Sequence, residues 1–108
     1  ALADSQDSVP VMIRLSSALI ELGRDEEALA LLKKVRDLVP DHPVPYVQQG
    51  KIYVKTKQHK EAKEAFENAI QINPFIADAH DGLATASDAL GAKEIAAKER
   101  ELARKLTR

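Results

Sequence analysis

The chain has 108 residues and a net charge of −1, and 44% of its residues are hydrophobic and 31% charged. This composition is typical of one soluble helical domain and excludes a disordered chain. The absence of cysteine excludes disulfides and thiolate metal sites. No apolar run approaches the ~20 residues of a membrane span, and the near-zero net charge disfavours a nucleic-acid binder, which usually carries a basic surface.

The sequence leaves the cellular compartment open. A chain without cysteine suits the cytoplasm and the periplasm equally, and no signal peptide is visible. Because the chain starts at Ala1 and stops within a helical pattern, we expect it to be a fragment of a larger protein, with or without flanking repeats.

The first predicted unit covers residues 9–42, after a loose polar lead-in at residues 1–8. Helical spacing of Met12, Leu15, Leu19 and Leu22 predicts a helix from Val9 that ends at Gly23, because glycine tolerates the left-handed conformation at a helix C-terminus. Asp25 is expected to cap a second helix. The buried stripe of that helix is predicted to contain Ala28, Leu31, Leu32, Val35 and Leu38.

The second and third predicted units cover residues 43–76 and 77–108. In the second unit, apolar spacing predicts helices at roughly 43–56 and 59–72, followed by a turn at Asn73-Pro74. In the third unit, a helix is predicted to end at Gly91. The apolar residues of the helix that follows are Ile95, Ala96, Leu102, Ala103 and Leu106. No segment alternates with the period of two that marks a strand.

The three units match one another at a spacing of 34 residues. Small residues coincide at Ala28, Ala62 and Ala96, where a close crossing of two helices has room only for a small side chain. Further matches are Pro40 with Pro74, Gly23 with Gly91, Leu15 with Leu83, Val35 with Ala69 and Ala103, and Leu38 with Ile72 and Leu106. A fixed period of this length predicts a repeat protein whose units bury their apolar faces against their neighbours.

The joint pattern resembles the tetratricopeptide repeat family over residues 9–108. The second unit matches best, at Tyr46, Gly50, Tyr53, Ala62, Phe66, Ala69 and Pro74. The resemblance implies an all-α solenoid of three antiparallel helix-turn-helix repeats, with six helices in a right-handed superhelical stack. It also implies a non-enzymatic protein whose stacked first helices line a concave groove for a peptide or a partner's helix.

Four positions depart from the family pattern. Gln49 replaces a leucine and Lys57 replaces the turn glycine of the second unit, while Ser87 and Arg100 replace large residues in the third. The last two predict a thinly packed third unit. That unit is either a polar terminal cap, which solenoids need for solubility, or relies on something absent from this chain.

Helical phase predicts which side chains line the groove. The middle helix contributes apolar and basic residues and the third-unit helix acidic ones, and packing is not expected to require Val47 or Val54. The predicted partner-binding residues are Ile13, Arg14, Ser17, Val47, Gln48, Lys51, Val54, Lys55, Asp81 and Thr85. This face is either a partner groove or is partly filled by other repeats or by the lead-in.

One familiar ligand of the resembled family is rejected. Some members clamp the C-terminal carboxylate of heat-shock chaperones with a set of Lys, Asn and Arg residues. The matching positions in this chain are Ile13, Ser17, Gln48, Asp78 and Gly82. An acid would therefore stand where a carboxylate needs a cation.

The sequence shows no catalytic, metal-binding or cofactor-binding motif. His42, His59 and His80 fall in different units without a second ligand at helical spacing, so packing and surface roles are favoured. Ser16 and Ser17 have no base at a predictable distance, and no glycine-rich phosphate loop is present. Basic residues of the last helix alternate with Glu, which is typical of a solvated face rather than a membrane or nucleic-acid surface.

Two functions remain open. The favoured one is a protein–protein interaction module that binds a partner's peptide or helix in the groove. The alternative is a structural segment, either an interior part of a longer solenoid or a self-associating scaffold.

Overall fold

The computed structural model describes residues 8–107, which form six α-helices in three antiparallel pairs. The predicted lead-in, apart from Ser8, lies outside the described residues. The helices are α1 (Val9–Glu21), α2 (Asp25–Leu38), α3 (Pro43–Lys55), α4 (His59–Ile72), α5 (Ala77–Ala89) and α6 (Lys93–Leu106). The all-α fold and the predicted helix positions are therefore confirmed.

Each pair turns through a residue with positive φ. Gly23 and Gly91 adopt φ of +78° and +89°, as expected for glycine after a helix C-terminus. Lys57 adopts +63° in the same place of the second unit. A side chain at positive φ is strained, so the second turn keeps the shape of the other two at a cost in stability.

The expected cap at Asp25 is wrong. Asp25 is the first residue of α2, and Arg24, which precedes it, makes no side-chain capping bond. The Asp25 carboxylate accepts a hydrogen bond from Lys55 Nζ at 2.8 Å instead. The carboxylate therefore joins the first unit to the second, and its position in the first turn is favourable to the helix dipole.

The hydrophobic core contains the small residues that recur in each repeat. Ala28, Ala62 and Ala96 are buried, which confirms the predicted close crossing within each pair. Phe66 is the largest fully buried side chain, and it packs in a cluster with residues of α3, α4 and α5. The second and third units thus share one continuous core.

Several aliphatic residues predicted to pack are exposed instead. Leu15 is 50% and Leu38 54% exposed, whereas Leu83, which occupies the position of Leu15 in the third unit, is 7% exposed. The position of Leu15 and Leu83 is buried by the preceding unit, and no described helix precedes α1. On α6 the exposed aliphatic residues are Ile95, Leu102 and Leu106, because α6 packs against α5 alone among the described helices.

The prediction of a thinly packed third unit is correct only for α6. Helix α5 is well buried, and Ser87 is fully enclosed within it. In contrast, α6 buries only Ala96 and Ala103. Arg100 is half-exposed there and contacts Asp88 at 3.4 Å, so a charge pair with α5 replaces the large apolar contact of the other units.

The helices stack in chain order into an elongated body of 51 × 26 × 22 Å. None of the helices in residues 8–107 combines the length and apolar character needed to cross a bilayer.

Candidate partner-binding groove

The first helices of the three units form one face of the stack. Helix α3 contacts both α1 and α5, whereas α2, α4 and α6 make no contacts with one another. The units therefore lie closer together on the side of α1, α3 and α5. We call this side the groove face, and the opposite side, which carries α2, α4 and α6, the outer face.

Between α3 and α5 the groove face contains a depression of about 310 Å³. Four of the predicted site residues lie together here, namely Lys51, Val54, Asp81 and Thr85. Three further residues complete its wall, namely Phe66, Asp78 and Gly82. The depression combines an apolar base with a charged rim.

The base of the depression depends on two glycines. A Cβ built on Gly50 would lie 2.6 Å from Phe66 Cζ, and one built on Gly82 would come closer still. The Phe66 ring from α4 therefore fits between α3 and α5 only because both helices lack a side chain there. This insertion closes the stack and brings an aromatic ring to the groove face at Gly82.

The two groove lysines form ion pairs with neighbouring units. Lys51 Nζ lies 3.1 Å from Asp78 Oδ2 on α5, and Lys55 Nζ lies 2.8 Å from Asp25 Oδ1 on α2. The predicted basic middle helix and acidic third-unit helix thus neutralise each other in part. Exposed pairs of this kind contribute only about 0–1 kcal/mol, so a charged partner can compete for either member.

Two charged groove residues have no ion-pair partner within residues 8–107. Arg14 on α1 and Asp81 on α5 are both exposed, and no ion pair joins either to another described side chain. Thr85 Oγ1 donates to the main-chain carbonyl oxygen of Asp81 at 3.1 Å, so this hydrogen bond does not involve the Asp81 carboxylate.

Ser17 and Gln48 bridge the first and second units. Gln48 Nε2 donates to Ser17 Oγ at 2.5 Å, and Gln48 Oε1 is buried without a hydrogen-bond partner in the described structure. A buried oxygen cannot reach a ligand, so this pair joins α1 to α3 rather than offering a contact. Nearby Ile13 is half-buried.

The prediction that packing does not require Val47 is wrong. Val47 is 6% exposed and belongs to the core cluster around Phe66. Val54 is half-buried, packs against the same cluster and also borders the depression. Helical phase placed both on one face, but neighbouring helices cover Val47 and leave Val54 partly open.

Asp88 lies near the end of α5. Its carboxylate accepts a hydrogen bond from Lys93 Nζ at 2.9 Å and contacts Arg100 Nη2 at 3.4 Å. The hydrogen bond and charge of Lys93, followed by those of Arg100, hold the pKa of Asp88 below its ordinary value. Asp88 therefore joins α5 to α6.

The three histidines occupy separate environments. His42 Nδ1 accepts from the Val44 backbone N–H at 3.3 Å and caps α3. His80 is buried between Glu99 and the Pro74 carbonyl, and His59 begins α4. Within residues 8–107, His, Asp and Glu side chains form no group of three or more that could hold a metal ion.

Sequence reasoning assigned Phe66 to packing and missed its second role at the base of the groove. The available signal was Gly82, since a glycine inside a helix weakens it and usually marks a close approach. Asp78 also lies at the depression, and its contact with Lys51 joins residues 27 apart in the chain. No local pattern reports such a contact.

Comparison with known families agrees with this geometry. Models of the tetratricopeptide repeat match residues 11–42 and 45–75, which together make up more than half of the chain. The chain belongs to the tetratricopeptide repeat family. The matches cover the first two repeats, and the third repeat is recognised from its helix pair and its 34-residue offset.

Solved structures show the same tetratricopeptide fold. The first tetratricopeptide domain of Spaghetti (RPAP3), bound to the HSP90 peptide SRMEEVD, aligns with a TM-score of 0.87 at 25% identity, covering 95% of this chain and 81% of its own. A crystal structure of MamA aligns at 0.84 and 24% identity, covering 94% and 60%. MamA from Desulfovibrio magneticus RS-1 aligns at 0.82 and 25% identity, covering 97% and 59%.

The chain spans only about 60% of the MamA structures. No curated protein sequence matches this tetratricopeptide chain.

Proposed function

We propose that this tetratricopeptide domain binds an extended peptide or a helix of a partner protein along the groove face. The depression between α3 and α5 carries the proposal, because its aromatic and aliphatic base is bordered by charges of both signs. Apolar side chains of a partner would contact Val54, with the buried Phe66 ring beneath it. The family is one of protein-interaction modules, and this groove supplies the chemistry such a module needs.

The unpaired charges of Asp81 and Arg14 predict which charged residues a bound segment carries. Asp81 lies at the α5 border and Arg14 on α1, so a bound segment is expected to carry a basic residue near the third repeat and an acidic one near the first. The related Spaghetti domain holds an HSP90 peptide. In this chain, Asp78 and Gly82 occupy matching positions, which disfavours a C-terminal carboxylate there.

We further propose that the domain acts by binding and not by catalysis. Its polar side chains bridge helices, as the half-buried Ser17 and Gln48 and the buried His80 show. The groove offers no nucleophile beside a base, which covalent or general-base chemistry would require.

The test is capture of partners from an extract of the source organism with groove variants. Asp81→Lys reverses the unpaired acid, and Thr85→Arg fills the depression from an exposed position. We expect both to lose the partners that the wild-type domain captures. Glu67→Lys on the exposed surface of α4 is the matched charge control and should retain them. Equal capture by all four proteins would rule out the groove.

A second candidate function is a structural segment that stacks on further helices. The exposed aliphatic residues at both ends of the stack favour it, since Val11 and Leu15 lie open on α1 and Ile95 and Leu102 on α6. Exposed rows of this kind commonly mark interaction surfaces.

Light scattering across a concentration range tests self-association through these ends. If the ends associate, the mass should rise with concentration, and Leu15→Glu or Leu102→Glu should abolish the rise. A constant monomer mass would reject self-association, while leaving groove binding to be judged by the capture experiment.

A further inference from the structure

The outer face contains a cleft larger than the groove depression. This outer cleft has a volume of about 610 Å³ and lies between α2 and α3. Its principal lining residues are Leu29, Lys33, Arg36, Tyr46, Gln49 and Tyr53. It shares no lining residue with the groove depression, so it is independent of the proposed groove function.

The repeat supplies an internal control for this cleft. An equivalent cleft of about 460 Å³ lies between the second and third units and is lined by Glu64, Glu67, Asn68, Ile70, Gln71, Leu83 and Glu99. Advancing by one repeat replaces Lys33 with Glu67, Arg36 with Ile70 and Gln49 with Leu83. The two clefts share a backbone arrangement but carry opposite charge.

The second cleft shows that two repeats can stack without a polar pair equivalent to Arg36 and Gln49. Ile70 and Leu83 occupy the same places in the second cleft, where Leu83 is 7% exposed. In the first cleft Gln49 is 5% exposed. Burying an amide and part of a guanidinium costs free energy that an apolar pair avoids. The presence of Arg36 and Gln49 in the first cleft is therefore not explained by the stability of the fold.

Arg36 is held in one orientation by two contacts. Its Nη1 donates to Gln49 Oε1 at 3.1 Å, and its Cζ lies 4.4 Å from the centroid of the Tyr46 ring. Stacking on tyrosine fixes the guanidinium plane. No described acidic side chain forms an ion pair with Arg36. A positioned arginine without a carboxylate partner is suited to binding one from another molecule.

The shape and charge of the cleft favour a carboxylate carried on a larger molecule over a small free acid. Ala30, Lys33, Asp37 and Pro40 on its rim are exposed, so the cleft would enclose too little of a small free acid. Adjacent to it, Glu61 and Glu64 border a smaller depression that shares Arg36 and Gln49. These acids, together with Asp37 on the rim, exclude a second negative charge, so a single ligand carboxylate is expected beside Arg36 and Lys33.

We propose that the outer cleft binds the carboxylate of an acidic side chain on a partner peptide. The Arg36 guanidinium receives the carboxylate, Lys33 adds a second positive charge, and the tyrosine rings contact the apolar part of the peptide. The site shares no residue with the groove depression, so both can be filled at once.

The test uses the intact domain and a blocked Ala-Ala-Glu-Ala-Ala peptide, followed by NMR. The Arg36 Nε–H and Gln49 side-chain amide signals should shift in a saturable manner. The same peptide with Gln in place of Glu should bind with an affinity at least about tenfold lower. That difference corresponds to the loss of one charge-assisted contact. Sodium acetate at equal ionic strength tests for a free anion site.

The repeat also provides the decisive variant. Arg36→Ile with Gln49→Leu installs the residues of the second cleft, so the domain should fold with an unchanged circular dichroism spectrum and lose peptide binding. Arg36→Lys keeps the charge, removes the planar fork and should weaken binding. Glu67→Gln in the second cleft is the control and should bind as the wild type does.

Three results would overturn the proposal. Equal shifts with the Glu and Gln peptides would show that no carboxylate is recognised. Unchanged binding by the double variant would show that Arg36 and Gln49 are not involved. Saturation by acetate at the same concentration as the peptide would show an ion site with no need of a peptide.

Discussion

His80 Nδ1 lies 2.6 Å from Glu99 Oε1, within the third repeat. The other ring nitrogen, Nε2, lies 2.7 Å from the Pro74 carbonyl oxygen, which can only accept a hydrogen bond. Nε2 therefore carries a proton, and a second proton lies between Nδ1 and the carboxyl of Glu99. Through this chain of contacts, α5 holds both α6 and the turn that precedes α5.

Removing the Glu99 carboxyl should therefore destabilise the domain. His80 is 5% exposed, so Glu99→Ala leaves a buried ring nitrogen without a partner and should lower the free energy of unfolding by about 1–3 kcal/mol. Glu99→Gln can donate to Nδ1 of a neutral ring and should cost less. Urea denaturation at neutral pH measures both, and equal losses would contradict the hydrogen-bonded role of Glu99.

Replacing Lys57 with glycine should stabilise the second turn. Lys57 has a φ of +63°, a conformation that costs a side-chain-bearing residue about 1–2 kcal/mol. Part of this gain is lost because glycine makes the unfolded chain more flexible, so we expect Lys57→Gly to add about 0.5–1 kcal/mol. Thermal unfolding provides the measurement.

Gly23→Ala is the reverse of the Lys57→Gly change, because it adds a side chain at positive φ in the equivalent turn. No atom lies within 4 Å of a Cβ at Gly23, so its expected loss of about 1 kcal/mol comes from the backbone alone. A stabilising effect at Gly23, or a loss at Lys57, would show that positive φ does not govern these turns.

Adding a methyl group at Gly82 should disrupt the contact between the second and third repeats. Its Cβ would overlap the Phe66 ring, which is fully buried and cannot move freely. We expect Gly82→Ala to cost about 1–3 kcal/mol of stability. Combining it with Phe66→Leu should recover part of that cost, and additive losses in the double-mutant cycle would exclude the steric explanation.

The pKa of the Asp88 carboxyl should be lower than that of an ordinary aspartate. Lys93, and to a smaller extent Arg100, lower the pKa of Asp88 in the folded state. Any stability from this contact is present above the pKa of the unfolded state and is lost as pH falls through the lowered folded value. NMR titration of the carboxyl carbon should show that Lys93→Met raises the pKa of Asp88. An unchanged pKa would refute this contact in solution.

The chaperone peptide should not bind the groove as it does in Spaghetti. Titration with SRMEEVD, the peptide held by that domain, should give no saturable heat, because Asp78 and Gly82 supply no cation for its terminal carboxylate. Tight binding by the unaltered domain would invalidate our assignment of the partner.

Local sequence patterns predicted the helices because helix formation and termination depend on near neighbours. The observed bounds of α3 and α4, Pro43–Lys55 and His59–Ile72, agree closely with the predicted 43–56 and 59–72. The buried alanines were also predictable, since one small residue recurs at each close crossing.

Contacts between units could not be predicted in this way. Helical phase assigns a residue to a face but does not report how far a neighbouring unit covers that face. This is why Val47 was expected in the groove and lies in the core, and why Leu15 was expected to pack and is half-exposed. The pairing of Lys51 with Asp78 likewise depends on how closely α3 and α5 approach.

The sequence by itself determined the three-fold repeat, the six helices and the family, because each rests on interactions between residues a few positions apart. The tertiary structure alone decided that Phe66 reaches the groove between Gly50 and Gly82, that the groove lysines are paired, and that Arg36 lies on Tyr46 over Gln49. Each of these joins residues about ten to thirty positions apart, whose distance is set by the stacking of whole helices and not by the local chain.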